Sequence, residues 1–121
     1  MSWWVWVGVA LLGGVGALSR FLFDAAVAAR AGVQFPFGTF AVNISGALLL
    51  GLLTGLAAPN DVAVLAGAAT LGSYTTFSTW MLETHRLGED GELQLAILNL
   101  AVSLLLGFGA ALLGRTIGAH V

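Results

Sequence analysis

Apolar residues run along this chain in long unbroken blocks, and the polar positions gather between them. Four blocks carry no charge: Trp3–Ser19, Phe37–Ala58, Val62–Leu82 and Leu93–Gly114, of 17, 22, 21 and 22 residues. A bilayer core takes about 20 apolar residues of helix. A helix also satisfies its own backbone where lipid cannot. The pattern therefore predicts an all-α membrane protein of four transmembrane helices, spanning about 3–23, 37–58, 62–82 and 93–115, in one domain over residues 1–121. The first block is short, so its helix is expected to reach Phe23 with Arg20 snorkelling from its end. Trp3, Trp4 and Trp6 read as an interfacial anchor, and a secretory signal is not expected because no positive segment precedes them.

The connections are predicted to be short. Asp24–Phe35 reads as an Ala-rich bridge with Pro36 before the second helix. Ala58-Pro59-Asn60-Asp61 reads as a tight turn in which Asp61 caps the third helix. Glu83–Glu92 reads as the one strongly polar loop.

Composition narrows the function classes. Hydrophobic residues make up 59% of the chain and charged residues 8%, against about 25% charged in soluble domains. So few charges cannot cover a water-facing surface, which excludes a soluble enzyme and a disordered segment. The net charge is −2, so a nucleic-acid partner finds no basic patch. There is no Cys, hence no disulfide framework and no thiolate chemistry. His85 and His120 stand in a loop and at the C-terminus without partners for metal or triad chemistry; an enzyme is not expected. With alternating helices, Arg20, Arg30 and Arg86 fall on one side and Arg115 on the other. Acids count little toward orientation, and a bias this small permits insertion in both directions.

Small and polar residues inside the blocks add detail. Of 17 glycines, 13 lie in the blocks. Gly51 and Gly55 form GxxxG, and Gly13 with Ala17 and Ser103 with Gly107 share that spacing, which lets helix backbones approach closely. Thr39 and Asn43 share one helix face, as do Asn99 and Ser103. Such residues either bond one helix to another or line a thin polar path, since an unpaired amide in lipid costs roughly 2–7 kcal/mol.

The third block is the least ordinary. Six hydroxyl-bearing residues stand between Gly72 and Trp80, in Gly72-Ser73-Tyr74-Thr75-Thr76-Phe77-Ser78-Thr79-Trp80. Gly and β-branched Thr disfavour continuous helix, and hydroxyls offer the backbone competing bonds. A break near the bilayer centre is expected. Broken backbone at that depth must be buried in protein or line a cavity, and its freed carbonyls can coordinate a cation. Phe77 and Trp80 are spaced i,i+3. They either pack together or offer positive ring edges to an anion.

These residues resemble a known family. Gly13-Gly14-x-Gly16-Ala17-x-x-Arg20, Gly38-Thr39-x-x-Val42-Asn43-x-x-Gly46, Gly72-x-x-Thr75-Thr76-Phe77-Ser78-Thr79 and Asn99-x-x-x-Ser103-x-x-x-Gly107 are similar, in order and spacing, to the signatures of the CrcB-type (Fluc) fluoride channels. The resemblance implies an antiparallel, dual-topology homodimer in the cell (inner or plasma) membrane. It would have two fluoride pathways and one central sodium ion, with passive export of cytoplasmic fluoride protecting against its toxicity. By position, Gly72 and Thr75 would give backbone carbonyls to sodium. Asn43, Phe77, Trp80, Ser103, Thr76 and Thr79 would line the anion path, and Arg20 its vestibule. The family usually has Phe where Trp80 stands and often Tyr where Asn99 stands.

Chemistry points the same way. Fluoride is small and tightly hydrated, so a selective path must replace its water with hydrogen-bond donors. Hydroxyls, an amide and ring edges do so without a fixed charge that would hold the ion. Two other readings remain. A small multidrug-type, proton-coupled transporter has four helices and similar length but needs a carboxylate inside a span, whereas all six acids lie outside the four blocks. A non-conducting membrane subunit leaves the hydroxyl cluster without a purpose.

Overall fold

The computed structural model describes residues 1–121, and the chain is helical throughout with no strand. Three helices are long and apolar enough to cross a bilayer unbroken: α1 (Trp3–Ala31), α2 (Phe37–Gly55) and α6 (Leu93–Ala119). Between α2 and α6 the chain forms a series of shorter pieces. Residues 60–74 are helical as α3 (Asn60–Val62), π1 (Ala63–Leu71) and α4 (Gly72–Tyr74), and α5 (Ser78–Glu89) follows after a gap. The predicted break in the third block thus lies at Thr75–Phe77, where Thr75 is extended at φ −80°, ψ 161°.

Four local expectations are corrected. The Asp24–Phe35 bridge is mostly helix: α1 runs on through Ala25, Ala26, Ala28 and Ala29 to Ala31, because Ala is the best helix former. Gly32 then stops it at φ 87°, a left-handed conformation that Gly adopts without strain. The Glu83–Glu92 loop shrinks to Asp90–Glu92 because α5 extends to Glu89, supported by a His85–Glu89 pair one turn apart at 3.2 Å. Asp61 does not cap the third block. Pro59 occupies the cap position, and Asp61 sits inside the first turn, where its charge meets the helix dipole instead. Gly13 is open within this chain, and the close approach on α1 falls at Gly16, where a Cβ would collide with Ser73 Oγ and the Thr70 carbonyl.

The predicted GxxxG is the strongest packing element. A Cβ on Gly51 or Gly55 would strike the Ala111 or Arg115 carbonyl of α6. Reciprocally, one on Gly114 or Gly118 would strike the Leu48 or Leu52 carbonyl of α2. Two glycine pairs interlock, so α2 and α6 touch backbone to backbone. On the other side α1 packs against α2, π1 and α4, while α5 packs on α6. The π1 segment was not foreseen. Its wide turns return hydrogen bonds five residues back, as from Gly72 N–H to the Gly67 carbonyl and from the Thr70 hydroxyl to the Leu65 carbonyl.

Candidate functional site: a broken helix beside an open groove

The break would leave peptide groups orphaned in an apolar setting, and side chains satisfy them. Asn43 reaches across from α2 and does this at Thr76. Its amide donates to the Thr76 carbonyl at 2.8 Å, and its oxygen accepts from the Thr76 N–H at 2.8 Å. One Asn therefore pairs with the unwound peptide as a neighbouring strand would. Thr76 Oγ1 in turn accepts from the Thr79 N–H in the first turn of α5, at 3.3 Å. The Thr75 hydroxyl donates back to the Leu71 carbonyl at 3.0 Å. Tyr74 is pinned to Ser45 by a 2.8 Å hydroxyl–hydroxyl bond.

Of the residues singled out by sequence, seven line one open groove of about 790 Å³: Asn43, Gly72, Thr75, Thr76, Phe77, Trp80 and Ser103. Its remaining wall is mostly apolar, including Leu50, Leu53, Leu104 and Phe108. Phe77 stands 70% exposed, and its ring and that of Trp80 form a T-shaped pair, with centroids 5.8 Å apart at 85°. The other two, Arg20 and Thr79, line a smaller polar pocket of about 210 Å³ with Asp24, Thr39 and Thr76. Thr76 borders both spaces, so the clamped peptide separates a polar pocket from the groove.

Buried polar atoms without partners mark where a ligand or water is wanted. They are Arg20 Nε, Thr39 Oγ1, Glu83 Oε1 and Ser103 Oγ. Thr39 is 2% exposed and Ser103 8%. Leaving such groups unpaired costs about 1–3 kcal/mol each. Glu83 is the residue that sequence reasoning missed, having been assigned to a loop. Once α5 is known to continue, its i,i+4 spacing from Thr79 puts both on one face. Glu83 stands one residue past the predicted span. Its Oε1 and the Thr39 hydroxyl are both buried without a hydrogen-bond partner.

A cation at the break would have only neutral oxygens to bind. No group of three or more His, Cys, Asp or Glu side chains comes together anywhere in the chain. Gly72 and Thr75 do suit such an ion. Both line the groove, Gly72 is exposed without a side chain, and Thr75 is in the extended conformation. Asn99 behaves differently from its predicted stripe partner Ser103. It is 1% exposed, and its amide donates to Thr84 Oγ1 at 2.8 Å, so it bonds helix to helix.

The sequence profile of the family described as CrcB-like protein, Camphor Resistance (CrcB) matches residues 7–115. Similar curated proteins include the fluoride-specific ion channel FluC 2 of Mycobacterium tuberculosis (strain ATCC 25618 / H37Rv), 58% identical over 113 residues, or 93% of this chain and 90% of that one. FluC 2 of Mycolicibacterium paratuberculosis is 58% identical over 117 residues, covering 97% and 96%. FluC 1 of Symbiobacterium thermophilum is 49% identical over 122 residues, covering 95% and 96%.

Proposed function

The chain belongs to the CrcB-like family, and on that premise we propose that it is a fluoride-selective channel that lets cytoplasmic fluoride leave passively across a cell membrane. The observation that carries the reading is the donor set of the groove. Asn43, Thr76, Ser103 and the rings of Phe77 and Trp80 line it together with no Lys or Arg among them. A dry path of neutral donors strips water from a small anion and releases it again, where a buried Lys or Arg would hold it.

The pathway runs from the polar pocket of Arg20, Thr39 and Thr79, past Thr76, to the aromatic pair and the Ser103 hydroxyl. The unpartnered Arg20, Thr39 and Ser103 atoms support this course, because each is a donor awaiting an acceptor. Residues 60–74 and α5 together make a fourth crossing of the bilayer, broken at Thr75–Phe77. The groove is completed by a second, antiparallel copy of the chain, which turns one open wall into a closed interface. At that interface Gly72 and Thr75 carbonyls from both copies would hold a structural sodium ion, a hard cation suited to neutral oxygen ligands. The multidrug-type transporter reading is not favoured. The relatives carry the name of fluoride channels.

The test is efflux from liposomes containing the purified protein, followed with a fluoride electrode and repeated with chloride. Fluoride is expected to leave rapidly and chloride to stay. Equal release of the two ions, or of neither, would sink the assignment.

Orientation is tested separately. The chain has no native cysteine, so Asp90→Cys in the Asp90–Glu92 turn is a clean reporter. A membrane-impermeant thiol reagent is expected to label about half the copies from either side, given the weak Arg bias. Labelling from one side alone would rule out dual topology.

A further inference from the structure

Trp80 brings an indole N–H to a place where an anion is to pass, and the fold turns that donor elsewhere. The N–H donates to the Asn99 carbonyl of α6 at 3.1 Å. The Asn99 amide donates to Thr84 Oγ1 at 2.8 Å, and the Thr84 hydroxyl donates to the Trp80 carbonyl at 2.8 Å. These three bonds form a closed circuit through Trp80, Asn99 and Thr84. Trp80 is thereby tied to Asn99 twice, once through its ring and once through its backbone by way of Thr84. Asn99 is 1% exposed and takes no part in lining the groove, so it does not meet the ion. The indole itself is held by the Asn99 backbone carbonyl, and the Asn99 side chain, through Thr84, fixes that carbonyl relative to the turn that carries Trp80.

We propose that Asn99 and Thr84 are positioning residues that hold the Trp80 indole in one orientation, its N–H withdrawn from the anion path. The inference rests on the fluoride-channel reading and adds to it the reason a Trp serves there. A free N–H in a dry constriction would bind a small anion by a strong hydrogen bond and slow its exit. With the N–H engaged, the ring offers only the weak positive edge of its carbons. Releasing the ring turns a passing point into a holding point.

The experiment uses the full chain with Trp3, Trp4 and Trp6 replaced by Phe, so that Trp80 is the sole emitter. Asn99→Leu keeps the size of the side chain and removes the bond to Thr84. It is expected to shift Trp80 emission, to raise acrylamide quenching, and to slow fluoride efflux about three- to tenfold, the scale of one buried hydrogen bond. Thr84→Val breaks the same circuit and should reproduce each effect, which keeps the test intact if Asn99→Leu folds poorly. Adding Asn99→Leu to Trp80→Phe should then change that variant's efflux by less than about twofold, because the coupled partner is gone. An equal loss in both backgrounds means that Asn99 merely packs, and overturns the proposal. So does unchanged Trp80 emission and quenching in both Asn99→Leu and Thr84→Val. That optical result is independent of transport. A parent protein that releases no fluoride overturns the channel reading, while the circuit is still judged on emission.

Discussion

Phe77→Ile is expected to abolish most fluoride efflux in protein that still elutes as the parent does. The ring is 70% exposed in one subunit and projects at the groove that also holds Asn43, Thr76 and Ser103. Little of the subunit's own packing depends on it, so the substitution leaves folding largely intact. Isoleucine keeps bulk but has no ring quadrupole, so the T-shaped pair with Trp80 and the ring edge proposed to meet the anion are both lost. Edge geometry is worth roughly 0.5–1.5 kcal/mol in aromatic pairs. A loss of about tenfold or more is expected, at the upper end of that range. The measurement is efflux per reconstituted protein in liposomes, with the elution profile from size-exclusion chromatography. A Phe77→Ile protein that elutes normally and conducts at the parent rate would mean that the aromatic pair only packs.

The membrane class and the helix break were legible in the sequence for a shared reason: lipid makes polar residues expensive, so each one announces a role. The six hydroxyls between Gly72 and Trp80 marked a break, and the chain is extended at Thr75. Gly51 and Gly55 marked a close helix contact, and α6 meets them there. Positions where helix continues through charged residues were not legible. Glu83, His85, Arg86 and Glu89 look like a loop by hydropathy, yet they fit a helix that leaves the bilayer, and Glu83 is carried inward by its spacing from Thr79. The wide turns of π1 had no cue, because the residues of Ala63–Leu71 suit an ordinary helix equally well. Asn43 showed that a polar residue mattered without showing how. Spacing alone could not distinguish a lining donor from a clamp on Thr76, and the two bonds at 2.8 Å make the clamp explicit. Asn99 and Ser103 share a helix face, but one is bonded to Thr84 and the other has no partner. Only tertiary packing separates them.

Gly72→Leu is expected to be as damaging as Phe77→Ile, for a reason that lies outside the single subunit. Within one chain a Cβ at Gly72 meets only the Gly67 carbonyl, at an ordinary 3.7 Å. The backbone there is helical at φ −62°, so a side chain is not strained, and Leu is a better helix former than Gly. An isolated subunit should therefore tolerate the change or be slightly stabilised by it. Gly114→Leu is the contrast, since its side chain would strike the Leu48 carbonyl within the same chain. If the groove is completed by a second copy around a sodium ion, a leucine at Gly72 overfills that interface. The expected result is then a fall in dimer content together with a loss of efflux of about tenfold or more, in line with the ~1–3 kcal/mol of an overpacked contact. Thr75→Ser should stay within about twofold of the parent, because the proposed ligand is main chain and a serine hydroxyl can still donate to the Leu71 carbonyl, a bond whose net worth is only about 0.5–1.5 kcal/mol. Size-exclusion chromatography and electrode-detected efflux on the same preparations read both effects. Gly72→Leu protein that expresses well, forms the parent amount of dimer and conducts at the parent rate would remove Gly72 from the interface, and the central cation site with it.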